Sequence, residues 1–111
     1  MTISVEIRGA VSIVRLVGDL NGKDEGRFVR AVTDILDRRD ARIVIDLGGV
    51  PMVSSGGLGE LVRVTAQANS QGSRLLLANL TPFVDAVLRT TKLNTFFGIS
   101  GDVDAAAAEL A

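Results

Sequence analysis

The sequence predicts an α/β domain: a mixed, mostly parallel sheet of about five strands with about four helices, opened by an antiparallel hairpin. Three observations carry this. Hydrophobic periodicity switches along the chain between the strand period and the helix period. The apolar runs at 43–47 and 75–78 are continuous, as in strands covered on both faces. Short segments rich in turn residues separate the elements in the order β-β-α-β-α-β-α-β-α, and that alternation implies right-handed crossovers with only the first strand antiparallel.

Taken in order, Ile3, Val5 and Ile7 alternate with Ser4, Glu6 and Arg8, the pattern of a half-buried strand. Gly9-Ala10 turns the chain into a second strand over 11–17, completing the hairpin. After Gly18-Asp19-Leu20-Asn21-Gly22 breaks the pattern, Phe28, Val32, Ile35 and Leu36 recur at helical spacing and predict a helix from about Asp24 to Arg38. The mixed charges at 37–42 read as its solvated end. Residues 43–47 form a buried strand. Leu58, Leu61, Val62, Thr65 and Ala68 then share one helical face, and Gln71-Gly72 stops that helix. Glu60 and Arg63 are expected to flank this face and point outward. A strand at 75–78 is followed by a helix with Thr81 at its N-cap, Pro82 at its first position, and Val84, Val87 and Leu88 on its buried side. A short last strand is expected at 95–99. One Phe of Phe96-Phe97 should fill the sheet edge against the last helix; the alternative is an exposed patch with Leu93. Asp102 caps the last helix, where Val103, Ala106, Ala107 and Leu110 share a face.

A chain of 111 residues suits a single domain spanning 1–111. It is 47% hydrophobic, enough for a real core. A net charge of −1 with no Trp or Tyr gives no footprint for direct nucleic-acid binding. Cysteine and histidine are both absent, which removes disulfides, thiolate metal sites, the commonest metal ligand and the commonest general base. No cofactor or metal is expected. The N-terminal residues do not read as a signal peptide and no apolar run is long enough to span a bilayer, so the expectation is a cytoplasmic protein with no membrane partner.

The stretch Pro51-Met52-Val53-Ser54-Ser55-Gly56-Gly57-Leu58-Gly59 joins a central strand to a helix. Hydroxyls at such a junction sit beside the free N–H groups of a helix start, an environment that favours negative charge. Several chemistries compete for it. Glycines at 56, 57 and 59 after a middle strand do not match the dinucleotide fingerprint, and no Gly-Lys-Ser/Thr ending completes a phosphate loop. A nucleophile elbow would need a glycine two residues before the serine, where Met52 and Val53 stand, and the chain offers no His to activate a serine. Asp19 and Asp46 near strand ends suggest a Mg²⁺ pair; turn and cap chemistry is the favoured alternative. The remaining structural reading is that the glycines let the helix start close to the sheet while Ser54 or Ser55 caps it.

Four segments in order resemble the STAS domain family of anti-sigma factor antagonists. They are Val17-Gly18-Asp19-Leu20-Asn21, Ile45-Asp46-Leu47-Gly48-Gly49-Val50, Ser55-Gly56-Gly57-Leu58-Gly59, and Lys92-Leu93 with Phe96-Phe97. The resemblance implies a non-enzymatic protein that binds an anti-sigma factor of the serine-kinase type and so frees a sigma factor. It implies that the kinase phosphorylates Ser55 to end the binding and that a phosphatase resets the switch. Ser54 stands where the family motif has Asp, which makes it an alternative hydroxyl, and Gly56 stands where the motif has Ser or Thr. The partner-binding surface is expected to comprise Asp19, Asn21, Ser54, Ser55, Gly56, Gly57 and Leu58. The alternative function is an unphosphorylated STAS scaffold in a larger signalling or transport complex.

Overall fold

The computed structural model describes residues 1–111. Its elements are β1 (Thr2–Arg8), β2 (Val11–Val17), α1 (Arg27–Leu36), β3 (Arg42–Gly49), α2 (Ser55–Ser70), β4 (Arg74–Ala78), α3 (Pro82–Thr90), β5 (Gly98–Ser100) and α4 (Val103–Leu110). The five strands form one sheet in the order β1-β2-β3-β4-β5, antiparallel between β1 and β2 and parallel elsewhere. Each crossover therefore steps the same way across the sheet, and right-handed connections stepping one way place their helices on one face. The larger core lies between that face and the crossover helices: Val14, Leu16, Ile43, Ile45, Leu47, Leu75 and Leu77 meet Phe28, Val32, Leu61, Val64, Val84 and Leu88. α4, after the last strand, covers the other face, where Ala106, Ala107 and Leu110 pack on Val11, Ile13, Val44 and Leu76. This second layer covers Val44 of β3 and Leu76 and Ala78 of β4, and it explains why the runs at 43–47 and 75–78 show no exposed face. No helix is long and apolar enough to cross a membrane.

Several local expectations need correction. β1 is an edge strand, and only Ile3 of its apolar stripe packs on the core; Val5 and Ile7 are 47% and 59% exposed. α1 starts at Arg27, three residues later than expected, because Glu25 and Gly26 both take positive φ. Asp24 instead folds back over the helix start: its carboxylate accepts from Phe28 N at 2.8 Å and Gly26 N at 3.3 Å. α1 also ends at Leu36, before the charged run, where Asp40 takes positive φ.

The last strand is Gly98–Ser100, displaced from 95–99. The N–H groups of Phe96 and Phe97 bond back to the Leu93 carbonyl, so the segment before β5 is a turn. Phe97 is buried, but in the core beneath the crossover helices and not against α4. Phe96 stays half-exposed and Leu93 packs partly on the core, so the expected patch reduces to Phe96.

α4 and its Asp102 cap match expectation, with Asp102 Oδ1 accepting from Ala105 N at 2.7 Å. Thr81 occupies the N-cap position of α3 in backbone terms, yet its hydroxyl donates to the Val50 carbonyl at 2.8 Å and ties two loops together.

Candidate functional site: a two-loop platform beneath Ser54 and Ser55

The loops that follow β2 and β3 emerge side by side at the C-terminal edge of the parallel strands, where functional loops of open α/β sheets gather. They are zipped together by backbone. Gly18 N donates to Gly49 O at 2.8 Å, Leu20 N to Met52 O at 3.0 Å, and Ser54 N to Leu20 O at 3.0 Å. Leu20 and Val53 pair as a parallel bridge, and both side chains point into the core. The platform thus behaves as a short extension of the sheet, buried beneath and exposed above. Alternation along the β3–α2 loop leaves Met52 outward, 51% exposed. Sequence reasoning missed Met52; its position between Pro51 and the inward Val53 is the signal that locates it.

α2 opens on this platform. Ser54 takes the N-cap position with extended backbone, and Ser55 is the first helical residue. Both are exposed and neither hydroxyl makes a hydrogen bond within the chain, so the expected side-chain cap is not formed. The Ser54 carbonyl accepts the first helical bond, from Leu58 N at 2.8 Å.

The glycines explain how α2 comes so near. A Cβ at Gly57 would fall onto the Leu20 carbonyl oxygen and within 2.5 Å of its carbon. One at Gly56 would sit 2.7 Å from the Asn21 carbonyl oxygen, and one at Gly22, where φ is +76°, would sit 3.0 Å from the Gly56 carbonyl carbon. These are packing requirements between backbones. Gly59 has open space around it and shares no part of this role.

Asp19, Asn21, Ser54, Ser55 and Gly56 are exposed, and Leu58 is half-buried against the core edge. Asn21 Oδ1 accepts from Lys23 N at 2.9 Å, a turn bond that holds its side chain to the loop. Gly57 is the exception among the expected surface residues: it is buried beneath the first turn, so it sets the height of the helix and presents nothing to a partner.

Of two acids at this end of the sheet, Asp46 follows the favoured turn chemistry and Glu60 departs from expectation. Asp46 is buried, accepting from Arg15 Nε at 2.8 Å, Gly48 N at 2.9 Å and Asn79 Nδ2 at 3.4 Å. Burial pushes its carboxyl up, but those bonds together outweigh burial and hold it below the ordinary value. It is a loop anchor, engaged on both oxygens. Glu60 turns inward, while Arg63 points to solvent as expected. Glu60 Oε1 is buried without a hydrogen-bond partner. Burial, and then the neighbouring Asp24, push its carboxyl above the ordinary value; Arg63 offsets this in part. Helical spacing explains the turn, because Glu60 lies three residues from the buried Gly57.

The geometry agrees with comparisons to known proteins. The family model described as the STAS domain matches residues 2–106. BtrV of Bordetella bronchiseptica, provisionally named an anti-sigma factor antagonist, is 26% identical over 108 residues, covering 97% of this chain and 93% of that protein. A Thermotoga maritima structure with the same provisional name superposes with a TM-score of 0.88 at 24% identity, covering 97% of this chain and 93% of that one. The anti-sigma factor antagonist SpoIIAA, solved in its unphosphorylated form, superposes with a TM-score of 0.68 at 18% identity, covering 97% and 96%. The two-loop platform, the mixed five-stranded sheet and the family match across nearly the whole chain lead to one conclusion: this protein belongs to the STAS domain family.

Proposed function

We propose that the domain is an anti-sigma factor antagonist that binds an anti-sigma factor of the serine-kinase type and releases its sigma factor. Phosphorylation of Ser55 ends the binding, and a phosphatase restores it. The observation that carries this reading is the Ser55 hydroxyl: exposed, free of hydrogen bonds, and held on a platform that backbone bonds make rigid. The names of its relatives support the class of partner.

In the unmodified state the partner meets the rim formed by Asp19, Asn21, Ser54, Ser55, Gly56 and Leu58. A phosphate adds about −1.5 to −2 charges there at neutral pH. The N-terminus of α2 tolerates that charge, so the domain itself stays folded. An interface closed over a neutral hydroxyl must instead desolvate the phosphate and make room for it. A loss of roughly 3 kcal/mol, about a hundredfold in affinity, is the scale expected. The domain performs no chemistry in this scheme; the partner supplies the kinase and its ATP.

The replacement of the motif Asp by Ser54 favours a second reading, an unphosphorylated scaffold domain. One experiment separates the two. The full chain is incubated with ATP and, one at a time, the serine-kinase anti-sigma factors of its own genome, and is then mapped by mass spectrometry. The switch reading expects one phosphate at Ser55, lost in Ser55→Ala and kept in Ser54→Ala. A phosphate at Ser54 alone, or no modification by any of them, overturns the Ser55 assignment.

A further inference from the structure

The structure carries an unused cation beside the switch. We propose that Lys23 reads the phosphate within the domain: once Ser55 is phosphorylated, the Lys23 ammonium pairs with it across the seam between the two loops. This rests on Ser55 as the modified residue and adds how the modified state is held.

The seam brings the two residues together. Gly22 packs against Gly56 so closely that a Cβ on Gly22 would lie 3.0 Å from the Gly56 carbonyl carbon. Lys23 follows Gly22 and Ser55 precedes Gly56, so each lies one Cα step, about 3.8 Å, from that contact. The flexible four-carbon stem of lysine and the arm of a phosphoserine together span the remaining gap. The Lys23 backbone is held by its bond to Asn21 Oδ1, which fixes where the side chain departs.

Lys23 is also the available cation among its neighbours. Arg27 donates to the carbonyls of Asp24 and Met1, and Arg30 to the carbonyl of Glu25. The exposed Lys23 ammonium makes no hydrogen bond or ion pair. Nearby acids leave it free: Asp24 is engaged with Phe28 N and Gly26 N. Asp19 and Glu25 are exposed to solvent, and Glu60 is turned inward toward Asp24. The cation Arg63 is exposed eight residues further along α2 from Ser55, about 12 Å of helix rise away. A phosphate on Ser55 is thus the strongest anion this ammonium can meet, and pairing draws it over the seam that the partner would otherwise cover.

The chain has two lysines, Lys23 and Lys92, which makes the test clean. Phosphoserine is installed genetically at position 55 of the full chain, so no kinase is needed, and the phosphate is titrated by ³¹P NMR. Its second ionisation, ordinarily near 6, is expected about half a pH unit lower in the parent than in Lys23→Gln, the size of an exposed ion pair. Lys92→Gln should titrate like the parent, and Lys23→Arg should keep most of the shift. The difference should vanish in about 1 M salt, where the screening length is about 3 Å. Identical titrations in parent and Lys23→Gln, with amide spectra showing both folded, overturn the proposal. That outcome is independent of whether any kinase modifies Ser55.

Discussion

Replacing Gly57 by Ala tests whether the glycines serve backbone packing. The added methyl would collide with the Leu20 carbonyl, which is backbone and cannot rotate away. α2 must lift or the β2–α1 loop must shift, and either movement strains Ser54 N–H to Leu20 O and Leu20 N–H to Met52 O. Overpacking costs about 1–3 kcal/mol, and two weakened backbone bonds add about 1 kcal/mol each. Alanine's better helix propensity returns about 1 kcal/mol. The net expectation is a loss of about 2–4 kcal/mol. Gly59→Ala brings the same propensity gain into open space and should stabilise by about 0.5–1 kcal/mol. Urea unfolding followed by circular dichroism reads both. In thermal unfolding by the same probe, the melting temperatures of a domain near this size should separate by more than about 10 °C. Equal unfolding midpoints for the two variants would refute the packing argument and reopen the glycines to another role.

Three further outcomes follow from the acids and the sheet edge. Asp46→Ala should cost about 1–3 kcal/mol at pH 7, because Arg15 and the Gly48 N–H lose their acceptor. Since the folded carboxyl lies below its ordinary 3.8, this stabilisation is present above that value and is lost as pH falls through the folded one; Asp46→Ala should show a shallower acid limb in urea unfolding. Glu60 has the opposite sign: its folded carboxyl lies above the ordinary 4.5, so its stabilising contribution is present below that value and is lost as pH rises through the folded one. Glu60→Gln should flatten that decline and leave the chain at least as stable at pH 7, measured by urea midpoints between pH 4 and 8. Val5→Thr and Ile7→Thr, on the exposed part of β1, should each change stability by less than about 0.5 kcal/mol in the same assay.

The alternation of strands and helices and the burial of the central strands were legible because apolar runs such as Leu75 to Leu77 demand cover on both sides, whereas the strand order and the separate layer under α4 came from the structure. What escaped depended on backbone geometry. Nothing in the helical periodicity around Phe28 showed that Glu25 and Gly26 take positive φ and delay α1. Phe97 read as a strand residue, yet the turn bonds to Leu93 place it under the crossover helices. At the site, Ser54, Ser55 and Gly56 could be located at a strand-to-helix junction. The contact of Gly57 with Leu20, which buries it, joins residues far apart in the chain and has no local signature. The inward turn of Glu60 was hidden for a related reason, because it follows from the burial of Gly57 one helical turn earlier.

The central claim is that a phosphate on Ser55 removes the partner. The most direct measurement is calorimetric titration of the serine-kinase anti-sigma factor with the unmodified chain, Ser55→Ala, Ser55→Glu and the chain carrying phosphoserine at 55. The account predicts similar affinity for the unmodified chain and Ser55→Ala, and a loss of about a hundredfold or more for Ser55→Glu and the phosphorylated form. Equal affinity for all four would contradict it.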